Sequence, residues 1–357
     1  MQPMRISIVL PFPVTKPVGG AKVMYEYANR LSGLGHTVSI FHSINRPFKK
    51  SSTPVWFKQV LFRLRGVERP GWFPLKPGIK SVIVPAITNK HMPDADIVMC
   101  TWWQMTYAIS ELQESKGKKF NLIQDYETWA GMEDKVKASY LLPVNQVVIA
   151  AYLQKIVKEA AGVHALHIPN AVDEKKYFVS TPIASRDPQS VIMLYSREPR
   201  KGTAYGLEAL KQLHKNYPGL KLILFGVYPA PADLAHWIKY YQKPNDLAAL
   251  YNSAAVFCSP SLGEGWALPP AEAMACGCAV VCTNIGGHKD YARDNDTALL
   301  VAPESITALV KKIGYLFENE LERRRIAANA LRVMSTEFNW DASAKKLEEA
   351  FAHSLKN

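Results

Sequence analysis

Two glutamates eight residues apart, Glu264 and Glu272, stand in the most distinctive segment of this chain, residues 263–277. Pro269 suits a first helical turn, so the segment predicts a helix that begins near Pro269 with Glu272 in its first turn. Glu264 then lies on the glycine-rich loop before the helix. One carboxylate on a loop and one on a helix can face one bound molecule, and free N–H groups at the helix start can hold a phosphate. A helix-start acid beside an unrelated loop acid fits the bare spacing as well.

Three cations, Arg197, Arg200 and Lys201, follow directly after a predicted strand at residues 191–195. Folds of the α/β class bind their ligands at the carboxyl ends of strands. Arginine offers a donor fork that suits phosphate oxygens, and lysine offers a point charge. The cluster therefore indicates a phosphate site, although a solvated basic turn also fits it.

Gly19 and Gly20 stand where another predicted strand meets a helix. Without a Cβ they let the backbone approach an anion at the helix N-terminus. They do not form a GxGxxG motif, and no acid stands at a clear ribose-binding position about 20 residues on. This disfavours a dinucleotide-dependent dehydrogenase and leaves an anion site or a packing turn.

The elements that position these residues alternate between strands and helices. The first forty residues read as strand, glycine turn, helix and strand, which is the βαβ unit of parallel α/β sheets. The alternation lapses at residues 173–189, where we expect a linker, and then restarts. We therefore expect two α/β domains, residues 1–178 and residues 179–337, with a C-terminal helix at 338–357 that packs back on the first.

Length and composition exclude several classes of protein. With 357 residues, 48% hydrophobic and 21% charged, the chain is neither collagen-like nor disordered. No apolar stretch approaches the roughly 20 residues that span a bilayer, and the N-terminal segment does not read as a signal peptide. Five cysteines without a CxxC pair indicate a reducing compartment and no structural zinc. We expect a cytoplasmic protein.

Residues 46–80 hold nine Lys or Arg against one acid, Glu68, which supplies +8 of the formal net charge of +12. A nucleic-acid binder or a protein on anionic lipid can carry such a patch. No helix-turn-helix, zinc-finger or RNP-type signature accompanies it, so we do not expect nucleic acid as a partner.

A helix drawn through this window presents one apolar stripe with cations beside it. The stripe consists of Trp56, Phe57, Val60, Leu61 and Leu64, the cations are Lys58, Arg63 and Arg65, and Trp72 and Phe73 follow as further aromatic anchors. The pattern predicts an interfacial helix on the inner face of the cell membrane. A helix that packs its stripe on the protein's own core is the alternative.

Segment 263–277, with A-V-V at 279–281 and G-G-H-K-D at 286–290, closely resembles the donor-site signature of the family 4 retaining glycosyltransferases. The usual pattern in that family is E-G-F-G-L-P-x-x-E-A-M-A-C-G-x-P-V-V, then G-G-x-x-E. Four further elements match in order: the glycines at 19–20, P-N-A-V-D at 169–173, R…K-G at 197–202 and F-N-W at 338–340. The resemblance covers nearly the whole chain and implies the GT-B fold, two Rossmann-like domains that face each other across a cleft.

The resemblance implies a role for each matching residue. Arg197 and Lys201 would hold the diphosphate of a nucleotide-sugar donor, Glu272 its ribose hydroxyls, and Glu264 the hydroxyls of its sugar. The segment of Gly265, Trp266, Ala267 and Leu268 would contact sugar and phosphate, and Gly19 and Gly20 would contribute from the other domain. Two cations and helix termini would then stabilise the leaving nucleoside diphosphate without a metal ion or other cofactor. The D-A-D at 94–96 is similar to a metal-binding motif of the other glycosyltransferase fold, but it precedes a strand and is expected to cap the turn.

The acceptor half departs from the family pattern. Many members carry H-D after the fifth strand, where this chain has Gln124, Asp125, Tyr126 and Glu127. This Q-D-Y-E form resembles a subset associated with rhamnosyl transfer. Asp125 or Glu127 is expected to orient the acceptor hydroxyl.

The resemblance implies a retaining, metal-independent hexosyl- or deoxyhexosyltransferase of cell-surface polysaccharide synthesis, with a glycan or lipid-linked acceptor. Three alternatives stay open. They are a subunit that binds nucleotide-sugar without turnover, a nucleic-acid binder that uses residues 46–80, and a GT-B sugar epimerase, which the full transferase signature disfavours.

Overall fold

The computed structural model of the chain describes residues 2–49, 53–128, 131–232 and 234–356. The chain divides into two compact units, Met1–Asn170 with Trp340–Asn357, and Ala171–Asn339. Each unit is built on one parallel sheet, so the predicted pair of α/β domains is confirmed. Which unit receives which substrate stays a prediction.

The sheet of the first unit has seven parallel strands, with central strands that are buried on both faces and therefore read as apolar runs. The strands are β1 (Arg5–Leu10), β2 (Thr37–Ser43), β3 (Lys80–Val84), β4 (Ile97–Thr101), β5 (Lys118–Ile123), β6 (Asn145–Val148) and β7 (Leu166–His167). The helices between them are α1 (Gly19–Gly33), α2 (Val55–Leu64), α3 (Trp103–Ser110), α4 (Glu133–Ser139) and α5 (Ala151–Ala161). The order across the sheet is β3-β2-β1-β4-β5-β6-β7.

The second unit repeats this plan with six parallel strands. The strands are β8 (Ser190–Leu194), β9 (Lys221–Gly226), β10 (Ile238–Gln242), β11 (Val256–Ser259), β12 (Ala279–Thr283) and β13 (Ala298–Val301). The helices are α6 (Thr203–Asn216), α7 (Leu247–Asn252), α8 (Leu268–Ala275), α9 (Ile306–Glu318) and α10 (Glu320–Glu337). The order is β10-β9-β8-β11-β12-β13.

Both sheets reverse their strand order, the first between β1 and β4 and the second between β8 and β11. In open α/β sheets the chain leaves in opposite directions at such a reversal, and ligands bind in the crevice beyond the carboxyl ends of the two strands. The fold therefore defines two places to look for a site, one in each unit.

The C-terminal helix α11 (Trp340–Ser354) belongs to the first unit, although it follows the second in the chain. The Trp340 ring packs edge to face on Tyr27 at 5.4 Å between centroids. His36, whose sequence position indicates a structural role, accepts from the Met4 amide and donates through Nε2 to Glu348 of α11 at 3.1 Å. These contacts fasten the helix onto α1 and the start of β2.

The segment 173–189, expected as a linker, is packed into the second unit, so the linker prediction was wrong. Arg186 is buried there, and its guanidinium donates to three backbone carbonyls, those of Thr181, Ala254 and Cys276, at 2.6–3.3 Å. A cation at the Cys276 carbonyl also stands at the C-terminus of α8, where the helix dipole favours positive charge. This buried arginine makes the segment an integral part of the fold.

Trp72 and Phe73, expected as further aromatic anchors, are half-buried, and their contact with a membrane stays a prediction. Both rings pack on Tyr25 of α1, with centroids 5.7 and 5.4 Å away. The Trp72 indole also donates to the Val14 carbonyl at 2.9 Å. Of the nine cations in the basic window, Lys50 lies outside the described residues. Within the part of the chain that the structure covers, no helix is long and apolar enough to cross a membrane.

Candidate functional site

At the reversal of the second sheet, the loops that follow β8 and β11 bring Lys201 and Glu264 together. The Lys201 ammonium donates to both carboxylate oxygens of Glu264, at 2.9 and 2.8 Å. The Ser261 hydroxyl donates to the same carboxylate at 2.8 Å, and only 11% of the Glu264 side chain is exposed. A small pocket beside the pair is lined by residues of both loops and by Pro269 at the start of α8. Two residues named from the sequence thus form one charged centre.

The other two cations of this loop have different positions. Arg197 is exposed, and its guanidinium lies 5.7 Å from the centroid of the Tyr228 ring. Arg200 instead donates through Nε to the Gly263 carbonyl at 3.1 Å, which ties the β8 loop to the β11 loop. Arg197 can reach toward a ligand from the surface, whereas Arg200 has a structural role.

Two glycines let the backbones of this site approach each other. Gly202 has a φ of 63°, and a Cβ on it would lie 1.9 Å from the Pro260 carbonyl oxygen. A Cβ on Gly287 would lie 2.4 Å from the carbonyl oxygen of Glu264. The loop that carries Glu264 is therefore held between two close backbone contacts that no other residue type allows.

The buried side chain of His288 lies beneath this loop. No role for it was predicted from the sequence. His288 donates through Nδ1 to the Thr283 carbonyl at 2.7 Å, and its Nε2 accepts from the Ser259 hydroxyl at 3.2 Å. Burial lowers the pKa of His288, so it stays a neutral ring with one donor and one acceptor. The Thr283 hydroxyl donates in turn to the Ser261 carbonyl. The ends of β11 and β12 are linked in this way beneath Glu264.

Glu272 lies in the second turn of α8, because the helix begins at Leu268, and the prediction of a first-turn position was wrong. The side chain is buried, with 4% of the residue exposed. Its carboxylate accepts from the hydroxyl of Tyr251 at 3.2 Å and also bonds Tyr177. Burial and the nearby carboxylate raise the pKa of both tyrosines, so both hydroxyls remain donors. Neither tyrosine was predicted, because neither is close to Glu272 in sequence.

The segment between the two glutamates is mostly buried. The Trp266 ring packs on Tyr291 at 4.9 Å and on Phe338 at 5.7 Å between centroids. The Ala267 amide already donates to the Gly287 carbonyl at 3.1 Å, so a ligand would have to exchange that bond. Gly265 is buried as well, and Leu268 is half-buried at the first position of α8. Ligand contacts of these four residues stay predictions.

In the first unit, Gly19 and Gly20 form the first turn of α1, which has no side-chain cap at Val18. The Gln124 amide donates to the Gly20 carbonyl at 2.9 Å. A Cβ on Gly20 would meet Gln124 at 3.5 Å, an ordinary contact distance. Gly20 is therefore less tightly enclosed than Gly202 or Gly287.

The two acids after β5 have different surroundings. Asp125 accepts from the amide of Tyr126 at 2.9 Å and from the hydroxyl of Tyr152 at 3.4 Å. Glu127 accepts from the Trp103 amide at 2.8 Å, at the N-terminus of α3. Burial raises the pKa of Glu127 to about 8, and the nearby charge of Asp125 adds to this effect. With this raised pKa, Glu127 can exchange a proton near neutral pH.

The D-A-D motif is part of the framework of the first sheet. Asp96 accepts from both the amide and the guanidinium of Arg5, and Asp94 pairs with Lys116 at 2.9 Å. Over the described ranges, no group of three or more His, Cys, Asp or Glu has the geometry to hold a metal ion.

Comparisons with known proteins agree on one class. Residues 177–333 match the family model described as glycosyl transferases group 1. A phosphatidyl-myo-inositol mannosyltransferase of Mycolicibacterium smegmatis is 24% identical, over 98% of this chain and 93% of that protein.

Solved structures share the fold. Sucrose-phosphate synthase of Thermosynechococcus elongatus superposes with a TM-score of 0.73 at 16% identity, over 99% of both chains. HepE of Anabaena, solved with UDP and glucose, gives a TM-score of 0.73 at 15% identity, over 98% of this chain and 100% of that one.

Proposed function

We propose that this chain, which belongs to the family 4 glycosyltransferases of the GT-B fold, transfers a sugar from a nucleotide-diphospho-sugar to a glycan or lipid-linked acceptor. In this proposal the second unit binds the donor and the first unit binds the acceptor. The new bond keeps the anomeric configuration of the donor, and no metal ion takes part.

The observation that carries the proposal is the pairing of Lys201 with Glu264 beside the exposed Arg197. A leaving nucleoside diphosphate gains negative charge in the transition state and needs preorganised positive groups. Lys201 can exchange one Glu264 oxygen for a phosphate oxygen, while Ser261 keeps the carboxylate in place. The freed carboxylate oxygen can then accept from a hydroxyl of the donor sugar.

The transfer itself balances without an enzymic nucleophile. The bond from the anomeric carbon to the phosphate oxygen breaks, and the acceptor oxygen bonds to that carbon from the same face. The acceptor proton goes to the leaving phosphate. Arg197 and Lys201 hold that phosphate, and either Asp125 or Glu127 orients the acceptor hydroxyl.

A thermal-shift screen of UDP-, GDP- and dTDP-sugars tests the donor assignment. A ligand at about 100 times its Kd stabilises the protein that binds it by about 2.7 kcal/mol. We expect one nucleotide series to raise Tm in the wild type and to lose that effect in Arg197→Ala/Lys201→Ala. If the protein binds the donor but neither hydrolyses it slowly nor transfers its sugar to any acceptor, the silent subunit is favoured instead. Interconversion of the donor sugar without transfer would favour the epimerase.

A lipid-linked acceptor is supported by a second observation, the surface of α2. Trp56 is 67% exposed and Leu64 is 82% exposed, with Phe57 and Val60 near half exposure. Helix α2 has no buried residue, so its apolar stripe is not packed on the protein's own core. An exposed apolar stripe with Lys58, Arg63 and Arg65 beside it suits the surface of an anionic bilayer. The Mycolicibacterium smegmatis relative is named for a lipid acceptor, phosphatidyl-myo-inositol.

Vesicle co-sedimentation tests this surface. The wild type should pellet with anionic vesicles at low salt, and Lys58→Glu/Arg63→Glu/Arg65→Glu should stay in the supernatant. The matched control, Lys211→Glu/Lys215→Glu/Lys311→Glu, changes three exposed lysines of the second unit and so shifts the net charge equally. If both triple variants partition alike, net charge alone explains the binding. A salt-sensitive gel shift with duplex DNA would instead raise the nucleic-acid alternative.

A further inference from the structure

An arginine lies on two aromatic rings at the strand-order reversal of the first sheet. The Arg46 guanidinium is 5.2 Å from the centroid of Phe12 and 5.5 Å from that of Trp102. Phe12 follows β1 and Trp102 follows β4, which are the two strands that flank the reversal, and Arg46 follows β2. The two rings also pack edge to face, 5.6 Å apart. Arg46 thus stands where an open α/β sheet binds its ligand.

Within the described ranges, no carboxylate pairs with the charge of Arg46. Among the described residues, its guanidinium forms neither an ion pair nor a hydrogen bond. Its cation–π contacts there are with the rings of Phe12 and Trp102. Arg46 is half-buried, and burial lowers its pKa without removing its charge at neutral pH. Cation–π contacts use none of the five N–H donors of the guanidinium. The donor fork is therefore available to an anionic oxygen group.

The backbone is strained at Trp102 and at Phe48, which lies two residues after Arg46. Phe48 and Trp102 have φ angles of 62° and 78°, in a region that bulky residues rarely adopt. The Phe48 ring stacks on Trp103 at 5.4 Å, and the Lys135 ammonium lies 4.3 Å from the Phe48 centroid. Strain of this kind persists where the surroundings determine it, and it clusters at binding sites. A second cation on a ring extends the positive character of this edge.

We propose that Arg46, on the platform of Phe12 and Trp102, binds a phosphate ester carried by the acceptor. The inference rests on the proposed function, since it names the chemical class of the acceptor in the first unit. The phosphate can belong to a soluble phosphorylated sugar or to a lipid headgroup. Arg46 supplies the fork for the phosphate oxygens, and the rings cover the adjoining carbon atoms.

Isothermal titration calorimetry on the full chain tests the proposal with three probes. These are glucose 6-phosphate, its neutral twin glucose, and dihexanoyl phosphatidylglycerol below its micelle concentration. The variants are Arg46→Gln, which keeps a polar side chain without the charge, and Arg46→Lys, which keeps the charge without the fork. Lys158→Gln is the control for loss of one exposed cation on the same unit, and Arg197→Ala/Lys201→Ala removes phosphate binding by the second unit.

We expect Arg46→Gln to weaken at least one phosphate probe by about tenfold or more, Arg46→Lys to be intermediate, and glucose to be unaffected. A loss confined to glucose 6-phosphate identifies a soluble acceptor, and a loss for phosphatidylglycerol identifies a lipid headgroup. The proposal is overturned if Arg46→Gln binds both phosphate probes like the wild type. It is also overturned if the wild type binds neither, or if only Arg197→Ala/Lys201→Ala loses the phosphate probes.

Donor hydrolysis without acceptor, measured on the same proteins, separates this inference from the proposed function. The wild-type rate of this hydrolysis tests the proposed function without an acceptor, whereas the phosphate titrations test Arg46 without a donor. A wild type that turns over no donor contradicts the proposed function, while Arg46-dependent phosphate binding would still stand.

Discussion

At the reversal of the second sheet a lysine and a glutamate pair with each other, whereas at the reversal of the first sheet an arginine lies on rings and a glutamate caps a helix. We call the carboxyl ends of the strands at each reversal the first edge and the second edge, after the unit that holds them. At the second edge, the Lys201 ammonium lies 2.8–2.9 Å from the two Glu264 carboxylate oxygens, so the two charges neutralise each other. At the first edge, Arg46 contacts aromatic rings and Glu127 accepts from a backbone amide, and neither forms a salt bridge within the described residues.

Under the proposed function, the difference follows from what each edge has to bind. Nucleotide-diphospho-sugars share a diphosphate, so one arrangement of cations, carboxylates and close-packed glycines would suit all of them. Such an arrangement can be fixed in the backbone, as at Gly202 and Gly287. Under the same proposal the first edge binds acceptors, which differ in structure, and its framework leaves more space, as at Gly20.

The largest expected effect is on turnover, in Arg197→Ala/Lys201→Ala. Loss of preorganised positive groups from a leaving diphosphate costs about 2.7–4 kcal/mol for one well-placed donor, or roughly a hundredfold to a thousandfold in rate. The free energy of unfolding should fall by less than the barrier to transfer rises, because Arg197 is exposed and Ser261 still bonds Glu264 after the Lys201 cation is lost. Steady-state turnover and Tm of the same preparations check both parts. A folded double variant within threefold of the wild-type rate would show that the donor site is elsewhere.

The next effect is on stability and compares the glycines of the two edges. Gly202→Ala should destabilise by at least about 2 kcal/mol, because alanine at a φ of 63° is strained and its Cβ meets the Pro260 carbonyl. Gly287→Ala should behave similarly, since its Cβ meets the Glu264 backbone. Gly20→Ala should be neutral or slightly stabilising. Urea denaturation measures all three, and equal losses at Gly20 and Gly202 would contradict the contrast in packing.

Gly20→Ala also carries information about the donor. If its fold is intact but transfer falls, the helix start of the first unit contacts the donor as the family resemblance implies. Unchanged transfer would assign Gly20 a packing role.

A third, smaller effect separates the two carboxylates of the second edge. Glu272→Gln should weaken binding of the free nucleoside diphosphate by about tenfold, because a carboxylate makes charge-assisted bonds to ribose hydroxyls. Glu264→Gln should spare nucleotide affinity and reduce transfer. Calorimetry with UDP and GDP, together with transfer rates, measures the two effects. Equal changes in nucleotide Kd would remove this division of roles.

Only some of the residues at the two edges could be predicted from the sequence. Lys201 and Glu264 could be named because each follows a strand and lies in a segment that the family repeats. The partners of Glu272 could not be named, since Tyr177 and Tyr251 come from elements that only the folded chain brings together. Arg186 was missed for the same reason, because its carbonyl partners are up to 90 residues away.

The first edge shows a second limit. Phe12, Arg46 and Trp102 each follow a strand, which is a signal that the sequence does carry. Their convergence depends on the strand order, which places β1 beside β4 although more than eighty residues separate them. The stripe of α2 was predicted correctly as a stripe, but only the structure shows that it is exposed while Trp72 and Phe73 are packed.

The smallest expected effect is a pH dependence in the first edge, measured with Glu127→Gln. Burial raises the pKa of Glu127 to about 8 from an ordinary value of 4.5, so the folded protein holds this proton more tightly than the unfolded chain. Ionisation therefore removes stability progressively as pH rises from about 4.5 to about 8. Glutamine resembles the protonated acid and cannot ionise. The Tm of Glu127→Gln relative to wild type should thus increase over that range by a few degrees and level off above it. Asp125, Tyr140 and Cys100 surround this carboxyl and remain in both proteins.

Glu133→Gln is the matched control, because bonding to Lys137 lowers the pKa of Glu133 and its removal should cost stability as pH rises. A Tm difference for Glu127→Gln that is constant with pH would mean that this carboxyl ionises normally, and the contrast between the two edges would then rest on Arg46 alone.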